Sequence, residues 1–405
     1  MMNKPEILSP AGDPEKLRYA VAYGADAVYL AGKAYGMRSA SGNFSEEELR
    51  QAIVYCHERG VRVFVTVNTL PRDPEIVLLP PYLEKLDAYG ADGIILADLG
   101  VLRLAKQYAP HCEIHISTQT SIVNAEAARM YHELGAKRIV LARELSLEEI
   151  AYIRAHTPAT LELEAFVHGA MCMAYSGRCM LSNYLASRDA NRGNCAQPCR
   201  WNYRVVEEYR PGEYMPIEED ENGTYIFNSK DMNLLPYVDH LANAGIDSFK
   251  IEGRVKTAYY AAAVTGAYRR AVDLYVRDPL HYAPPQELLD EVMKVSHREY
   301  FTGFYFGDPH TQHMDDSLYV REWDVCALVE QCDAKGNAVL IQKNKFSEED
   351  ELELMRPGEP ALSVHLREMK NEAGEAITLA NRPQMKVFAN LPCFAPDFSI
   401  LRRKK

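Results

Sequence analysis

AYGADAVYLAG (22–32) is the stretch that decides how this chain folds. It ends a helix, turns on a glycine and runs at once into a short apolar strand. The same phrase returns as AYGADGIILAD (88–98), ELGAKRIVLAR (133–143) and NAGIDSFKIEG (243–253). Gly24, Gly90, Gly135 and Gly245 hold the position where a helix closes in the left-handed region, which a residue without Cβ enters freely. Four further apolar runs read as strands: EILSPAG (6–12), VRVFVTVN (61–68), EIHISTQ (113–119) and LELEAFVHG (161–169). Helical segments such as PEKLRYAVAY (14–23) and SEEELRQAIVYCHERG (45–60) separate most of them. Strands alternating with helices build a parallel sheet, and eight of them predict a closed, TIM-like (β/α)8 barrel.

Working outward, the expected fold class is α/β, with the barrel over 1–310. The spacing breaks once: nearly 80 residues separate Gly169, at the end of the seventh strand, from Ser248 at the start of the eighth. This insertion, over 170–245, holds four of the nine cysteines. Loops that follow barrel strands sit on the C-terminal face, where barrel active sites are built. Its middle, EEDENGTYIF, reads as a hairpin turning on Asn222–Gly223. A helix (257–276), a Pro-containing connector and another helix follow. From 317 to 405 the runs CALVEQ, AVLIQ, ALSVHL and MKVFAN predict a small, barrel-like β domain. The closing LRRKK reads as a solvated basic tail.

No run approaches the roughly 20 apolar residues of a membrane helix, and the N-terminal residues lack a signal-peptide pattern, so a cytoplasmic protein with no membrane partner is expected. Cysteines in such a chain are thiols or metal ligands rather than disulfides. The net charge of −12 argues against broad nucleic-acid binding. The charge is uneven, however. Residues 317–405 are nearly balanced, with 13 Lys+Arg against 14 Asp+Glu. Residues 172–204 carry Arg178, Arg188, Arg192, Arg200 and Arg204 against Asp189 alone, a patch able to focus an anion.

The same stretch supplies a ligand set. Six residues lie between Cys172 and Cys179, and three between Cys195 and Cys199. Four local thiolates suit one metal centre, an iron–sulfur cluster or zinc. Zinc sites use close pairs, and only the second pair is close, which tilts the reading slightly to iron–sulfur. Cys56, Cys112, Cys326, Cys332 and Cys393 lie scattered on apolar segments, where a cysteine acts as a small core residue.

EAFVHGAMCMAYSGRCMLSNY (164–184) resembles the signature of peptidase family U32, with Glu164, Phe166, Gly169, Ala170, Met171, Cys172, Gly177, Cys179, Leu181 and Ser182 on the pattern. The opening ILSPAGDPEKLRYAVAYGADAVYLAG and KIEGR (250–254) resemble the family too. The family's name comes from collagenase-like proteases. The resemblance also implies oxygen-independent hydroxylation, of ubiquinone precursors, ribosomal RNA or tRNA wobble uridine in different branches. It implies a 4Fe–4S cluster on Cys172, Cys179, Cys195 and Cys199. The length, domain plan and cysteine spacing look most like the tRNA branch, which makes 5-hydroxyuridine with prephenate as co-substrate and meets tRNA at the anticodon loop.

Polar residues at predicted strand ends complete the expected site. His168 and Glu164 are the catalytic candidates. Asn68, Gln119, Arg143, Arg178, Arg188, Lys250, Glu252 and Arg254 are candidates for substrate binding, with Lys and Arg suited to a small dicarboxylate such as prephenate. Plainer roles compete: Asp98 as a helix cap, Glu164 and Lys250 as a pair inside the barrel, His168 as hydrogen-bonded packing. Two other functions stay open. A peptidase would need a nucleophile, but the sequence holds neither H-E-x-x-H nor G-x-S-x-G, and Cys172 with His168 could act as a thiol–imidazole pair only if Cys172 were not a ligand. A metal-stabilised scaffold would leave the insertion at the active face unexplained.

Overall fold

The eight apolar runs become strands in the expected order. A computed structural model of the chain describes residues 4–36, 42–172, 175–176, 179–190, 194–198, 218–220, 223–225, 230–307 and 319–405. The first seven strands are β1 (Glu6–Pro10), β2 (Ala27–Leu30), β3 (Arg62–Val67), β4 (Gly93–Leu96), β5 (Glu113–Ile116), β6 (Arg138–Val140) and β7 (Glu162–Ala170). Three short strands follow: β8 (Glu218–Asp220), β9 (Gly223–Tyr225) and β10 (Asp231–Asn233). The eighth barrel strand, β11 (Ser248–Ile251), pairs in parallel with both β7 and β1 and closes the ring. The four repeated glycines have φ between 80° and 102°, as the repeated phrase requires. Helix starts are fixed locally. Asp13, Asp98 and Asn124 accept bonds from first-turn amides, and Ser45 and Ser146 form capping boxes with Glu48 and Glu149. Asp98 is therefore a cap.

The barrel strands are buried on both sides because helices cover the outside and side chains fill the inside. On one side the filling is apolar: Leu8, Ala27, Tyr29, Phe64 and Ile95 pack together. On the other side it is charged. At the floor, Arg138 is 2.6 Å from Glu6 and from Glu162, and 3.0 Å from Glu164. One level up, Lys250 Nζ donates to Glu164 Oε1 at 2.6 Å. Burial works against ionising Glu164, but Lys250 and Arg138 outweigh it and hold the carboxyl below its usual range.

β7 is the longest barrel strand, and its end rises past the rim. There β10 pairs with it antiparallel, Asn233 opposite His168, and β12 (Tyr300–Phe301) pairs with β10. The helix Val238–Asn243 then leads into β11, so the last part of 170–245 supplies the helix that precedes the eighth barrel strand. The expected hairpin is present, but Gly223 opens β9 opposite Asp220 instead of lying in the turn. No helix among the described residues is long and apolar enough to cross a membrane.

The C-terminal domain is antiparallel: β13 (Trp323–Cys332), β14 (Asn337–Gln342), β15 (Phe346–Ser347), β16 (Leu352–Met355), β17 (Leu362–Val364), β18 (Leu379–Ala380), β19 (Lys386–Asn390) and β20 (Ile400–Lys404). Six of them form one sheet in the order β17-β16-β20-β13-β14-β19. This corrects the reading of LRRKK. It is no solvated tail but most of a central strand, with Leu401 and Arg402 fully buried. Arg402 can be buried because its guanidinium bonds Glu291 of the barrel domain at 2.7 Å and Glu353 at 2.8 Å. Tyr23 adds hydrogen bonds to Met355 O and Phe398 O, so the two domains share a buried seam.

Candidate functional site at the barrel mouth

A cavity of about 100 Å³ opens at the C-terminal ends of the strands. Its polar lining comes from different strands: Thr66 within β3 and Asn68 just after it, Ser117 and Gln119 after β5, Arg143 after β6. Lys250, Glu252 and Arg254 enter from β11 and its loop, and Cys172 from the loop after β7. Tyr29 and Phe166 supply aromatic walls. Six of the expected substrate-binding residues and one expected ligand thus meet in one place.

Each cation there is held firmly. Arg143 Nη1 donates to Ala170 O at 2.8 Å, its guanidinium lies 3.8 Å from the centre of the Phe166 ring, and Nη2 stands 3.8 Å from Glu252. Arg254 donates to Thr66 Oγ1 at 3.2 Å and Asn43 Oδ1 at 2.8 Å. Lys250 sits 4.6 Å from the Tyr29 ring centre while bonded to Glu164. Arg143 Nε and Gln119 Nε2 are buried donors of this lining that have no partner among the described residues. Gln119 is held by its other end, which accepts from Ser117 Oγ at 3.1 Å. A buried donor left unpaired costs roughly 1–3 kcal/mol, so such a pair points to a ligand rich in acceptor oxygens.

Both catalytic candidates fall outside the lining. Glu164 lies beneath it, fully buried between Lys250 and Arg138. His168 is fully buried among tyrosines, 3.2 Å from Tyr300 Oη and 3.5 Å from Tyr268 Oη. Burial, reinforced by His297 and Lys256, pushes its pKa down to about 3, so the imidazole stays neutral. That is the arrangement of hydrogen-bonded packing.

Of the expected metal ligands, Cys172 is exposed and Cys179 and Cys195 partly so. Cys199, like Arg178, lies outside the described residues. Among the described residues no three His, Cys, Asp or Glu are gathered as a ligand group. The Gln197 amide donates to Cys195 Sγ at 3.4 Å. Buried Ser182 accepts from Ala196 N at 2.8 Å, tying the Cys195 loop to the helix that follows Cys179. Arg188 is exposed and bonds Asn194 O and Oδ1, bracing the same loop instead of lining the cavity. By contrast burial raises the Cys56, Cys112 and Cys326 thiols to about 12, which makes them inert core groups.

The sequence reading missed Thr66, Ser117, Tyr29 and Asn43. Thr66 and Tyr29 carried a usable signal, since alternate strand residues share a face and Thr66 stands two before Asn68. Asn43 carried none, being a loop residue brought to Arg254 by the fold.

Residues 12–315 match the sequence family described as peptidase family U32, and residues 321–402 match the description peptidase family U32 C-terminal domain. The chain is 36% identical over 383 residues to tRNA hydroxylation protein P1 of Bacillus subtilis (94% of this chain, 90% of that protein). It is 37% identical over 434 residues to tRNA hydroxylation protein P of Escherichia coli (96% and 94%). It is also 32% identical over 319 residues to a collagenase of Porphyromonas gingivalis (76% and 74%). With both of its domains matched in order and relatives of 36% and 37% identity aligned over nearly the whole chain, this chain belongs to peptidase family U32.

Proposed function

We propose that the protein hydroxylates tRNA, at carbon 5 of the wobble uridine, with a 4Fe–4S cluster and with prephenate as the small dicarboxylate co-substrate. The observation that carries this reading is the cationic cavity at the barrel mouth, with Arg143 Nε and Gln119 Nε2 as buried donors unpaired among the described residues in its wall and Cys172 at its edge. The relatives named tRNA hydroxylation proteins support the reaction class. Arg143, Arg254 and Gln119 would bind and orient carboxylates, while Tyr29 and Phe166 would shield them from water and strengthen each charged bond. Cys172, Cys179, Cys195 and Cys199 would hold the cluster, which supplies electron-transfer chemistry when bound. His168, neutral and enclosed, would fix the raised end of β7 that carries Cys172 to the rim. An unstacked anticodon base can be splayed into such a pocket.

A thiol–imidazole peptidase fits the geometry poorly. Cys172 lines the cavity, whereas His168 is sealed behind it by Tyr268 and Tyr300. The deciding experiment is nucleoside mass spectrometry of tRNA from a strain lacking the gene, complemented with wild type or Cys179→Ala. The reading requires loss of 5-hydroxyuridine derivatives, restored by wild type alone. Unchanged nucleosides in a strain without a second such gene reject it. In parallel, protein prepared without oxygen should be brown and carry iron and sulfide; a colourless zinc protein after anaerobic reconstitution removes the cluster.

A further inference from the structure

A larger groove, of about 770 Å³, runs between the barrel and the C-terminal domain. Ala170, Cys172 and Glu252 stand along it, and Cys172 and Glu252 also line the barrel-mouth cavity, so the two spaces meet at the proposed chemistry. The far wall comes from Tyr319, Arg321, Trp323 and Lys343, and the barrel side adds Lys256 and Tyr260. Arg321 and Lys343 are exposed and form no ion pair among the described residues. Lys256 Nζ stands 4.3 Å from the Tyr319 ring centre and Arg321 5.6 Å from it, so cations and ring faces are interleaved. Of the three acidic residues in the lining, Asp324 is 3.4 Å from Lys405 and Glu252 faces Arg143 at 3.8 Å, while Glu15 is exposed on the barrel side.

We infer that this groove is the track for a single-stranded stretch of RNA leading to the barrel mouth, an assignment that rests on the RNA-hydroxylation reading. A single strand presents phosphates alternating with flat bases, and a wall of unpaired cations among aromatic rings answers both. A peptide taken up by strand addition needs a sheet edge, and the edge strands β17 and β19 contribute nothing to the lining. The assignment is compatible with a chain of net charge −12, because cations lining one groove act locally whatever the charge of the whole chain. It places RNA contacts at the seam between the domains, apart from the basic patch of 172–204.

The test is fluorescence anisotropy with the full-length, anaerobically prepared protein and a labelled anticodon stem–loop RNA, titrated at several salt concentrations. Arg321→Glu/Lys343→Glu is compared with wild type and with Lys106→Glu/Lys137→Glu, a charge-matched change away from the groove. The groove variant should raise Kd at least tenfold at low salt. It should also flatten the slope of log Kd against log salt by about 1.4, since each single-strand phosphate contact contributes roughly 0.7. Tyr319→Ala should weaken binding roughly fivefold or more with the slope unchanged, because stacking releases no counterions. Affinity and slope like those of wild type in the groove variant, or equal losses in the control, overturn the track while leaving tRNA hydroxylation intact. That reading fails separately, on the nucleosides of the deletion strain. No RNA binding by wild type at low salt, or gelatin peptides bound by wild type and lost in the groove variant, also overturns it.

Discussion

Replacing Arg143 with Gln tests the anion site most directly. Arg143 makes one bond to protein, Nη1 to Ala170 O, and stands 3.8 Å from Glu252, while its buried Nε has no partner among the described residues. A carboxylate oxygen accepting from Nε would gain one charge-assisted hydrogen bond, about 1.5–3 kcal/mol. At 1.4 kcal/mol per decade, that is roughly a 10- to 150-fold rise in Kd for Arg143→Gln. The substitution also removes the tie to Ala170, worth about 1 kcal/mol of stability, so a small fall in Tm is expected beside the binding loss. Arg143→Lys separates the two effects. It keeps the charge near Glu252 but loses the planar fork, and should recover only part of the affinity. Calorimetry with prephenate gives Kd, and urea denaturation checks the fold. Affinity within twofold of wild type, in a variant that stays folded, would remove Arg143 from the site and with it the main physical argument for a carboxylate there.

Three further outcomes follow from buried charges. Arg254→Ala should weaken prephenate roughly tenfold or more by the same reasoning, measured by calorimetry, and equal affinity would exclude that residue. Arg402→Ala removes the buried cation between Glu291 and Glu353 and leaves them Lys294, 3.9 Å and 2.8 Å away, so a stability loss of about 3 kcal/mol, the low end for a broken buried pair, is expected at pH 7 in urea denaturation. A loss under 1 kcal/mol would mean the seam is hydrated. His168 titrates near 6.5 when unfolded but only near 3 when folded, so the unfolded state takes up the proton first. Stability should fall by up to about 1.4 kcal/mol per pH unit as pH drops from 6.5 towards 3, and His168→Gln should flatten that component. An acid profile unchanged in the variant would show that other groups set it.

The barrel was legible because its signals are local. A glycine that ends a helix, a cap that starts one and an apolar run long enough for a strand each act within a few residues, and four copies of one phrase repeated them. The mouth was legible at one remove. Once strand ends are known, the C-terminal ends of barrel strands mark the pocket, and Asn68, Gln119, Arg143, Lys250, Glu252 and Arg254 arrived together on that logic. What stayed hidden depends on partners far away in sequence. Arg402 reads as part of a solvated tail until Glu291, 111 residues earlier, is placed against it. His168 reads equally as a catalytic candidate and as hydrogen-bonded packing until Tyr268 and Tyr300 are placed against it. In both cases the residue type suggests exposure or chemistry, and only the tertiary partner makes burial tolerable. The same reasoning separates the cations of the barrel. Lys250 and Arg138 are matched by carboxylates and serve the ladder, whereas Arg143 keeps a donor unmatched at the mouth. Arg143 is therefore a cation that a bound anion would complete.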